Sequence, residues 1–221
     1  MTHEEILQGL YDNTLIGNAP EVKDLVNQGL KYELEPEKML YDALIPSLEE
    51  VGARFERGDF FVPEMLIAAR AMQGALDILR PLLAETGAQQ VGTYVMGTVK
   101  GDVHDIGKNL VNIMLEGAGF TVHDLGVNVA PEKFVEMVQE HKPEIVGFSA
   151  FLTTTMPMFK ANINALEKAG LRDSVVVMVG GAPVTQEYAD AVGADGYAAD
   201  ASATVKKAKA LLHEKRSKVP A

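Results

Sequence analysis

The fold of the chain is decided by one stretch, Val99-Lys100-Gly101-Asp102-Val103-His104-Asp105-Ile106-Gly107-Lys108-Asn109-Leu110-Val111. An apolar run typical of a β-strand, Val91–Val99, leads into it, and an amphipathic run typical of a helix, Ile106–Ala118, forms its end and continues beyond it. The residues between the two runs are therefore predicted to form a loop at the carboxyl end of a first strand. Open α/β sheets bind their ligands at that edge.

Within this loop, Asp102 and His104 are two residues apart. A carboxylate at that spacing can accept a hydrogen bond from one ring nitrogen of the histidine, which fixes the tautomer and leaves the other nitrogen able to bind a metal. Gly107 has no side chain and lets a bulky partner approach the backbone closely. Asp105 stands just before the predicted helix and is expected to cap it.

Strand and helix patterns alternate after this loop. Further strands are predicted at Phe120–Asp124, Glu144–Ala150, Ser174–Val179 and Gly196–Ala198, and further helices at Pro131–His141, Met156–Ala169, Gln186–Val192 and Ala203–Glu214. Five βα units of this kind predict the α/β class, with a doubly wound, parallel, five-stranded sheet and helices on both faces. Right-handed crossovers, together with the family resemblance described below, favour the flavodoxin-like strand order 2-1-3-4-5.

Residues 1–88 show helical patterns throughout and are predicted to form an all-α four-helix bundle. The predicted helices are Glu4–Ile16, Pro20–Gln28, Pro36–Arg57 and Pro63–Ala84. Gly29 and Gly58 are predicted to end helices. Pro46 and Pro81 lie inside helical patterns, where a proline can kink the helix.

The small and polar segment Ala84–Gln90 is predicted to divide the bundle, 1–88, from the α/β domain, 89–221. The last helix of the bundle carries Met65 and Met72 seven residues apart, and hence on one face. The commoner explanation of such a pair is bundle core, and the alternative is an apolar cover for a flat ligand.

Residues of unusual type follow strands 1, 3 and 4, which are neighbours in the proposed order, so their loops are expected to line one crevice. The hydroxyls of Ser149, Thr153 and Thr155 can bind a ring nitrogen, a phosphate or Asp102, and Gly180-Gly181 lets a ligand press against the backbone. The candidate binding residues are Gly101, Asp102, Val103, His104, Asp105, Ile106, Gly107, Ser149, Phe151, Leu152, Thr153, Thr155, Gly180 and Gly181.

The spacing Asp102-x-His104-x-x-Gly107 resembles the signature of cobalamin-binding domains. The resemblance implies that His104 is the lower ligand of cobalt, replacing the dimethylbenzimidazole of the cofactor, whose displaced tail then runs into the sheet. Ser149 and Gly180-Gly181 match the Ser-x-Leu and Gly-Gly of that family, whereas Phe151 stands where the family has leucine. A hydroxyl matching Thr155 would complete a His104–Asp102–Thr155 relay beneath the cobalt.

The helical part extends the resemblance. The run Phe60–Met65 looks like the start of the last cap helix in corrinoid methyltransferase proteins, and the whole chain is similar to the cap and cobalamin-binding domains of cobalamin-dependent methionine synthase. The resemblance implies that Met65 and Met72 shield the upper face of the corrin. The cap would then have to swing aside during methyl transfer, with a hinge at Glu85–Gln90.

The function implied by this resemblance is that of a corrinoid methyl carrier, with methylcobalamin or a related corrinoid as its cofactor. Its implied partners are a substrate:corrinoid methyltransferase, a second methyltransferase that uses a tetrahydropterin or thiol acceptor, and a reductive activase. The carrier itself is expected to supply ligands and shielding rather than substrate chemistry.

Composition excludes several classes of partner and chemistry. The net charge of −11 argues against nucleic acid or an anionic membrane as the main partner, and no apolar run is long enough to span a bilayer. The start of the chain, Met1–Glu5, is acidic and polar, unlike a signal peptide, so a cytoplasmic location is expected. The absence of cysteine excludes disulfides and thiolate catalysis.

Three other functions share part of this pattern. An adenosylcobalamin mutase subunit would share the Asp-x-His-x-x-Gly spacing but would not need its own helical cap. A cobalamin-dependent regulator or sensor would carry a basic DNA-binding module, and no such stretch is present. A hydrolase or zinc enzyme could use His104 with Asp102, and His123-Asp124 could add metal ligands, but no recognised spacing supports a zinc site.

Overall fold

The computed structural model describes residues 1–86 and 91–217. The chain divides into two compact units, Met1–Gln90 with Glu116–Gly119 and Val91–Leu115 with Phe120–Ala221. In the segment predicted to hold the domain boundary and the hinge, Gly87–Gln90 lie outside the described residues. Across the described ranges, no helix combines the length and the apolar character needed to cross a membrane.

The first unit is helical, as predicted. Its α-helices are α1 (His3–Leu15), α2 (Ala19–Lys31), α3 (Pro36–Met39), α4 (Ile45–Arg57) and α5 (Val62–Thr86), and a π-helical turn, Leu40–Leu44, joins α3 to α4. Helix α4 ends at Gly58, which adopts φ +79° as the prediction requires. Helix α5 continues through Pro81 to Thr86.

Gly29 does not end a helix, so this prediction is wrong. It lies inside α2, which continues to Lys31. A Cβ at Gly29 would come within 2.6 Å of Met39 Sδ, so the glycine permits a close side-chain approach rather than a turn.

The predicted helix Pro36–Arg57 is continuous but not regular. Ile45 N–H bonds to the carbonyl of Leu40, five residues back, so one turn is π-helical. Pro46 follows at once and has no N–H to return to the regular pattern. Irregular turns of this kind are common where a helix contains a proline.

The second unit is the predicted doubly wound sheet. Its strands are β1 (Gly92–Thr98), β2 (Phe120–Asp124), β3 (Ile145–Ser149), β4 (Val176–Gly180) and β5 (Gly196–Tyr197). Its α-helices are α6 (Ile106–Gly117), α7 (Pro131–His141), α8 (Met158–Lys168), α9 (Gln186–Val192) and α10 (Ala201–Ser217), and a 3₁₀ turn spans Arg172–Ser174. All pairings are parallel and the order is β2-β1-β3-β4-β5, which confirms the predicted class and topology.

The register of the central strands places three loops together. Thr98, at the end of β1, pairs with Ser149, and Ser149 pairs with Gly180 at the end of β4. Aliphatic and aromatic side chains fill the core beneath this edge, among them Val146 and Phe148, which are fully buried. Strands that are covered on both faces have continuous apolar sequences, and the central strands could therefore be predicted from the sequence.

Candidate functional site

The carboxylate of Asp102 lies at the centre of the polar cluster, with a fully buried side chain. Its Oδ1 lies 3.1 Å from the backbone nitrogen of His104 and 3.0 Å from the ring Nδ1 of the same residue. Its Oδ2 accepts hydrogen bonds from the backbone N–H groups of Phe151, at 2.8 Å, and Leu152, at 3.1 Å. The Thr155 hydroxyl completes the set, at 2.7 Å from Oδ2.

These bonds determine the charge of Asp102. Burial raises the pKa of its carboxyl group, but the hydrogen bonds from the Thr155 hydroxyl and from three backbone N–H groups outweigh burial and hold that pKa well below its usual range. Asp102 is therefore ionised and can only accept hydrogen bonds.

The charge of Asp102 in turn determines the tautomer of His104. Because the carboxylate can only accept, the ring Nδ1 must donate, and in the neutral ring Nε2 then carries a free lone pair. The His104 side chain is 48% exposed, so an external ligand has access to the ring. The arrangement is that of a metal-binding imidazole oriented by a carboxylate behind it.

The predicted series His104–Asp102–Thr155 is present as a chain of hydrogen bonds. The Thr155 hydroxyl lies 2.7 Å from Asp102 Oδ2 and 2.8 Å from the carbonyl oxygen of Leu152. It has one proton to donate, and the ionised carboxylate is the stronger acceptor. Thr155 is itself buried, so the hydroxyl and carboxylate stabilise one another away from bulk water.

Two residues that fix the His104 loop were missed by sequence reasoning. The buried hydroxyl of Thr98 donates to the backbone carbonyl of His104 at 2.9 Å. Asn128 Oδ1 accepts from Gly101 N–H at 2.8 Å, and Asn128 N–H donates to the carbonyl of Asp102 at 2.9 Å. Asn128 adopts φ +55°, a conformation that asparagine tolerates better than most residues, and its place after Gly126 was the available signal.

Replacing Asn128 with glycine is expected to lower the free energy of unfolding by about 1 kcal/mol, because it removes the acceptor for Gly101 while keeping the positive φ. Asn128→Asp keeps an acceptor and serves as the control. Chemical denaturation of the three proteins measures the difference. A glycine variant as stable as the unaltered chain would show that this side chain does not hold the loop.

The loops after β3 and β4 meet at the same edge. Val99 N–H donates to the carbonyl of Ser149 at 3.0 Å, and Ala150 N–H donates to that of Gly180 at 3.2 Å. Gly181 adopts φ +131°, and a Cβ there would lie 1.8 Å from the carbonyl oxygen of Ala150. The predicted convergence of the three loops is thus present in the structure, and Gly181 is needed for their packing.

Large apolar side chains are exposed beside His104. Val103, in the loop before α6, is 69% exposed, and Ile106, the first residue of α6, is 70% exposed. Phe151 is 51% exposed and stacks on the His104 ring with 4.2 Å between ring centroids, and its neighbour Leu152 is 40% exposed. Exposed apolar side chains grouped around a polar atom are typical of surfaces that can bind a partly apolar ligand.

The remaining candidate residues lie outside the set of hydrogen bonds around the Asp102 carboxylate. Gly107 has open space where a Cβ would stand, and Thr153 is exposed. The Asp105 carbonyl accepts from Asn109 N–H at 2.7 Å, which places Asp105 at the start of α6, while its carboxylate accepts from Asn109 Nδ2 at 3.2 Å. Met65 and Met72 lie in α5 of the other unit and are fully buried.

Lys108 also has a structural role that sequence reasoning missed. Its side chain is 1% exposed, and its ammonium group donates to Asp124 Oδ2 at 2.5 Å and to Asn109 Oδ1 at 2.7 Å. The first turn of α6 is therefore tied to the end of β2. The available signal was the position of Lys108 seven residues before the buried Leu115, on the same helix face.

His123, a possible metal ligand by sequence, contacts a second histidine in the structure. The His123 ring stacks on that of His141, with centroids 4.0 Å apart. Burial, and then the neighbouring His141, lower the pKa of His123, while Glu140 opposes this shift. In the part of the chain that the structure describes, no group of three or more His, Asp or Glu residues could hold a metal ion.

Fold and site together define a helical unit joined to a flavodoxin-like unit, with a carboxylate-oriented histidine at the carboxyl edge of the sheet. Models of the B12 binding domain match residues 92–206 and, in a second form, residues 6–80. The chain belongs to this B12-binding family, and the resemblance inferred from Asp102, His104 and Gly107 is confirmed.

Relatives and solved structures agree with this assignment. The chain is 45% identical to the dimethylamine corrinoid protein of Methanosarcina barkeri, over 96% of this chain and 100% of that protein. It superposes on the methanol:cobalamin methyltransferase complex of Methanosarcina barkeri with a TM-score of 0.83 and 28% identity, covering 96% of this chain and 81% of the other. A cobalamin-binding protein of Desulfitobacterium hafniense DCB-2 gives a TM-score of 0.74 and 31% identity, with coverage of 90% and 95%.

Proposed function

We propose that this protein carries a methyl group on a corrinoid between two methyltransferases, and that His104 would supply the protein's ligand to cobalt. The observation that carries the proposal is the 3.0 Å contact between the ionised, buried Asp102 and Nδ1 of the half-exposed His104. This contact leaves Nε2 for the metal and strengthens it as a ligand, because the carboxylate stabilises positive charge on the imidazole.

The residues at this edge fit a corrinoid. A macrocycle supplies the equatorial nitrogens of its own metal, so one imidazole completes the protein's share, as it does for haem. The exposed Val103, Ile106 and Phe151 are suited to contact a large, partly apolar ring. Ser149 and Gly180, aligned across β3 and β4, are suited to border its polar tail.

When bound, the corrinoid would supply methyl transfer at cobalt, and the residues of this chain would hold and orient it. Asp102 and Thr155 keep His104 in the binding tautomer. In this proposal the helical domain, 1–88, is a cap over the corrin, and the domain 89–221 binds it. Met65 and Met72 are fully buried, so the helical domain would have to rearrange before their side chains could shield the corrin.

The methyl donor in this proposal is a methylamine, and the 45% identity to a dimethylamine corrinoid protein supports that choice. A substrate:corrinoid methyltransferase would deliver the methyl group, a second methyltransferase would pass it to a tetrahydropterin or thiol, and a reductive activase would restore the cofactor. The corrinoid-loaded protein would be mixed in turn with mono-, di- and trimethylamine, each with its methyltransferase. The rate at which the absorption spectrum shows methylation of the corrinoid would rank the donors. Turnover with methanol and none of the amines would contradict the choice.

Replacing His104 with alanine is expected to abolish the imidazole nitrogen coupling of the cobalt(II) form in pulsed paramagnetic resonance. Corrinoid affinity should fall by about tenfold or more, because a metal ligand is lost. His213→Ala is the control, since His213 is exposed on α10. If the nitrogen signal persists in His104→Ala, another residue is the ligand.

A further inference from the structure

The ring of Phe151 stacks on the imidazole of His104. The ring centroids are 4.2 Å apart and the planes are inclined by 29°. The backbone N–H of Phe151 also donates to Asp102 Oδ2 at 2.8 Å, while Asp102 Oδ1 contacts Nδ1 of His104 at 3.0 Å. One carboxylate therefore fixes both the imidazole and the backbone that carries the stacked ring.

The two contacts restrain the imidazole in different ways. The hydrogen bond at Nδ1 sets the direction of one ring atom but leaves the ring able to tilt about that bond. A flat group against the face of the ring opposes the tilt, because stacking depends on the two planes staying close to parallel. Bond and stack together define the plane of the imidazole, and with it the direction of Nε2.

We infer that Phe151 is a positioning residue that sets the plane of the His104 ring and so the direction in which Nε2 meets cobalt. The inference rests on the proposed function and adds to it. The family pattern has leucine at this position, and leucine supplies apolar bulk without a flat face. The imidazole of this chain is thus held more firmly than the Asp102 contact alone would hold it.

The stack is tested first in the protein without corrinoid. A ring lying over an aromatic face shows upfield-shifted proton resonances, so the His104 ring protons are expected upfield in the unaltered chain. Phe151→Leu should remove this shift at constant pH. Phe151→Tyr should keep it, because the Phe151 ring is half-exposed and the added hydroxyl can extend into solvent. Unchanged His104 resonances in Phe151→Leu would overturn the inference.

Leu152→Ala is the matched control for these spectra. Leu152 is the next residue, is also exposed, and its backbone N–H also donates to Asp102 Oδ2, at 3.1 Å. It has no aromatic ring, so its truncation should leave the His104 resonances in place. An equal change in Leu152→Ala would show a loosened loop rather than a lost stack, and would count against Phe151.

The second test uses the corrinoid-loaded protein with cobalt(II), at one fixed pH. Phe151→Leu should broaden the distribution of the axial nitrogen coupling and lower the ratio of His104-bound to unbound cobalt by about threefold, since aromatic contacts of this kind contribute modestly beyond burial. Phe151→Tyr should restore both. A normal coupling and ratio in Phe151→Leu would overturn the inference and leave the proposed function intact. Failure of the unaltered chain to bind corrinoid would instead overturn the proposed function, and the statement about cobalt with it.

Discussion

Replacing Asp102 with asparagine is expected to lower the free energy of unfolding by about 3 kcal/mol. The buried carboxylate accepts hydrogen bonds from five donor groups, whereas an amide has only one acceptor oxygen and cannot accept from all five. The same change should displace His104 from cobalt in the loaded protein. Both effects have one cause, since the asparagine amide must turn its NH₂ towards groups that are themselves donors.

The amide has two orientations, and each fails differently. With NH₂ towards Phe151 and Leu152, it faces two backbone N–H groups and leaves them without an acceptor. With NH₂ towards His104, it forces Nδ1 to accept and moves the ring proton to Nε2, where it blocks the lone pair needed by a metal. The second orientation is the one expected, because it keeps an acceptor for the three donors of Phe151, Leu152 and Thr155, so ligation of the metal should fall. Stability should fall as well, because the backbone N–H of His104 loses its acceptor and a neutral amide oxygen accepts more weakly than a carboxylate.

Denaturation of the protein without corrinoid measures the first effect, and the nitrogen coupling of the cobalt(II) form measures the second. Thr155→Val is the control, because it removes one donor and keeps the carboxylate, and its cost should be about 1 kcal/mol. An Asp102→Asn variant with unchanged stability and unchanged cobalt spectrum would remove Asp102 from the orienting role.

Replacing Gly181 with alanine is expected to destabilise the fold by about 3 kcal/mol or more, since strained backbone and overlap with main-chain atoms add together. The new Cβ would lie 1.8 Å from the carbonyl oxygen and 2.8 Å from the carbonyl carbon of Ala150, at φ +131°. Those atoms belong to the loop that follows β3, which also carries two of the N–H groups bound to Asp102.

Gly180→Ala is the matched control for this variant. The nearest neighbour of its Cβ would be the carbonyl oxygen of Ala198 at 3.7 Å, an ordinary contact. Gly180→Ala should therefore unfold at nearly the same denaturant concentration as the unaltered chain, and a loss of corrinoid affinity in it would report a ligand lying against Gly180. Equal stability of the two alanine variants would contradict the close approach at Gly181.

The architecture was largely predictable because its signals are local. Strand and helix periods, with a proline at the start of helix α7 and apolar runs in β3 and β4, identify the elements from neighbouring residues. The rule of right-handed crossovers reduces the possible strand orders, and the family resemblance then favours the one observed. The wrong prediction at Gly29 arose because a glycine that ends a helix and one that permits a close contact look alike in sequence.

The sequence by itself determined the parts of the site that depend on residues close along the chain. Asp102 and His104 are two residues apart, so one short loop is enough to bring their side chains together, and the loop follows a strand whose apolar run is plain in the sequence. Parallel pairing of β1, β3 and β4 then made the meeting of their loops predictable as a region.

Apart from the Thr155 hydroxyl, which the family resemblance implied, only the tertiary structure decided which atoms meet in that region. Thr155 reaches Asp102 across 53 residues, Phe151 across 49, and Asn128 reaches Gly101 across 27. Contacts between such distant residues depend on strand register, loop path and rotamer, and no local period encodes these. The stack of Phe151 on His104 belongs to the same class, because the pattern at position 151 specifies an apolar side chain but not the plane of its ring.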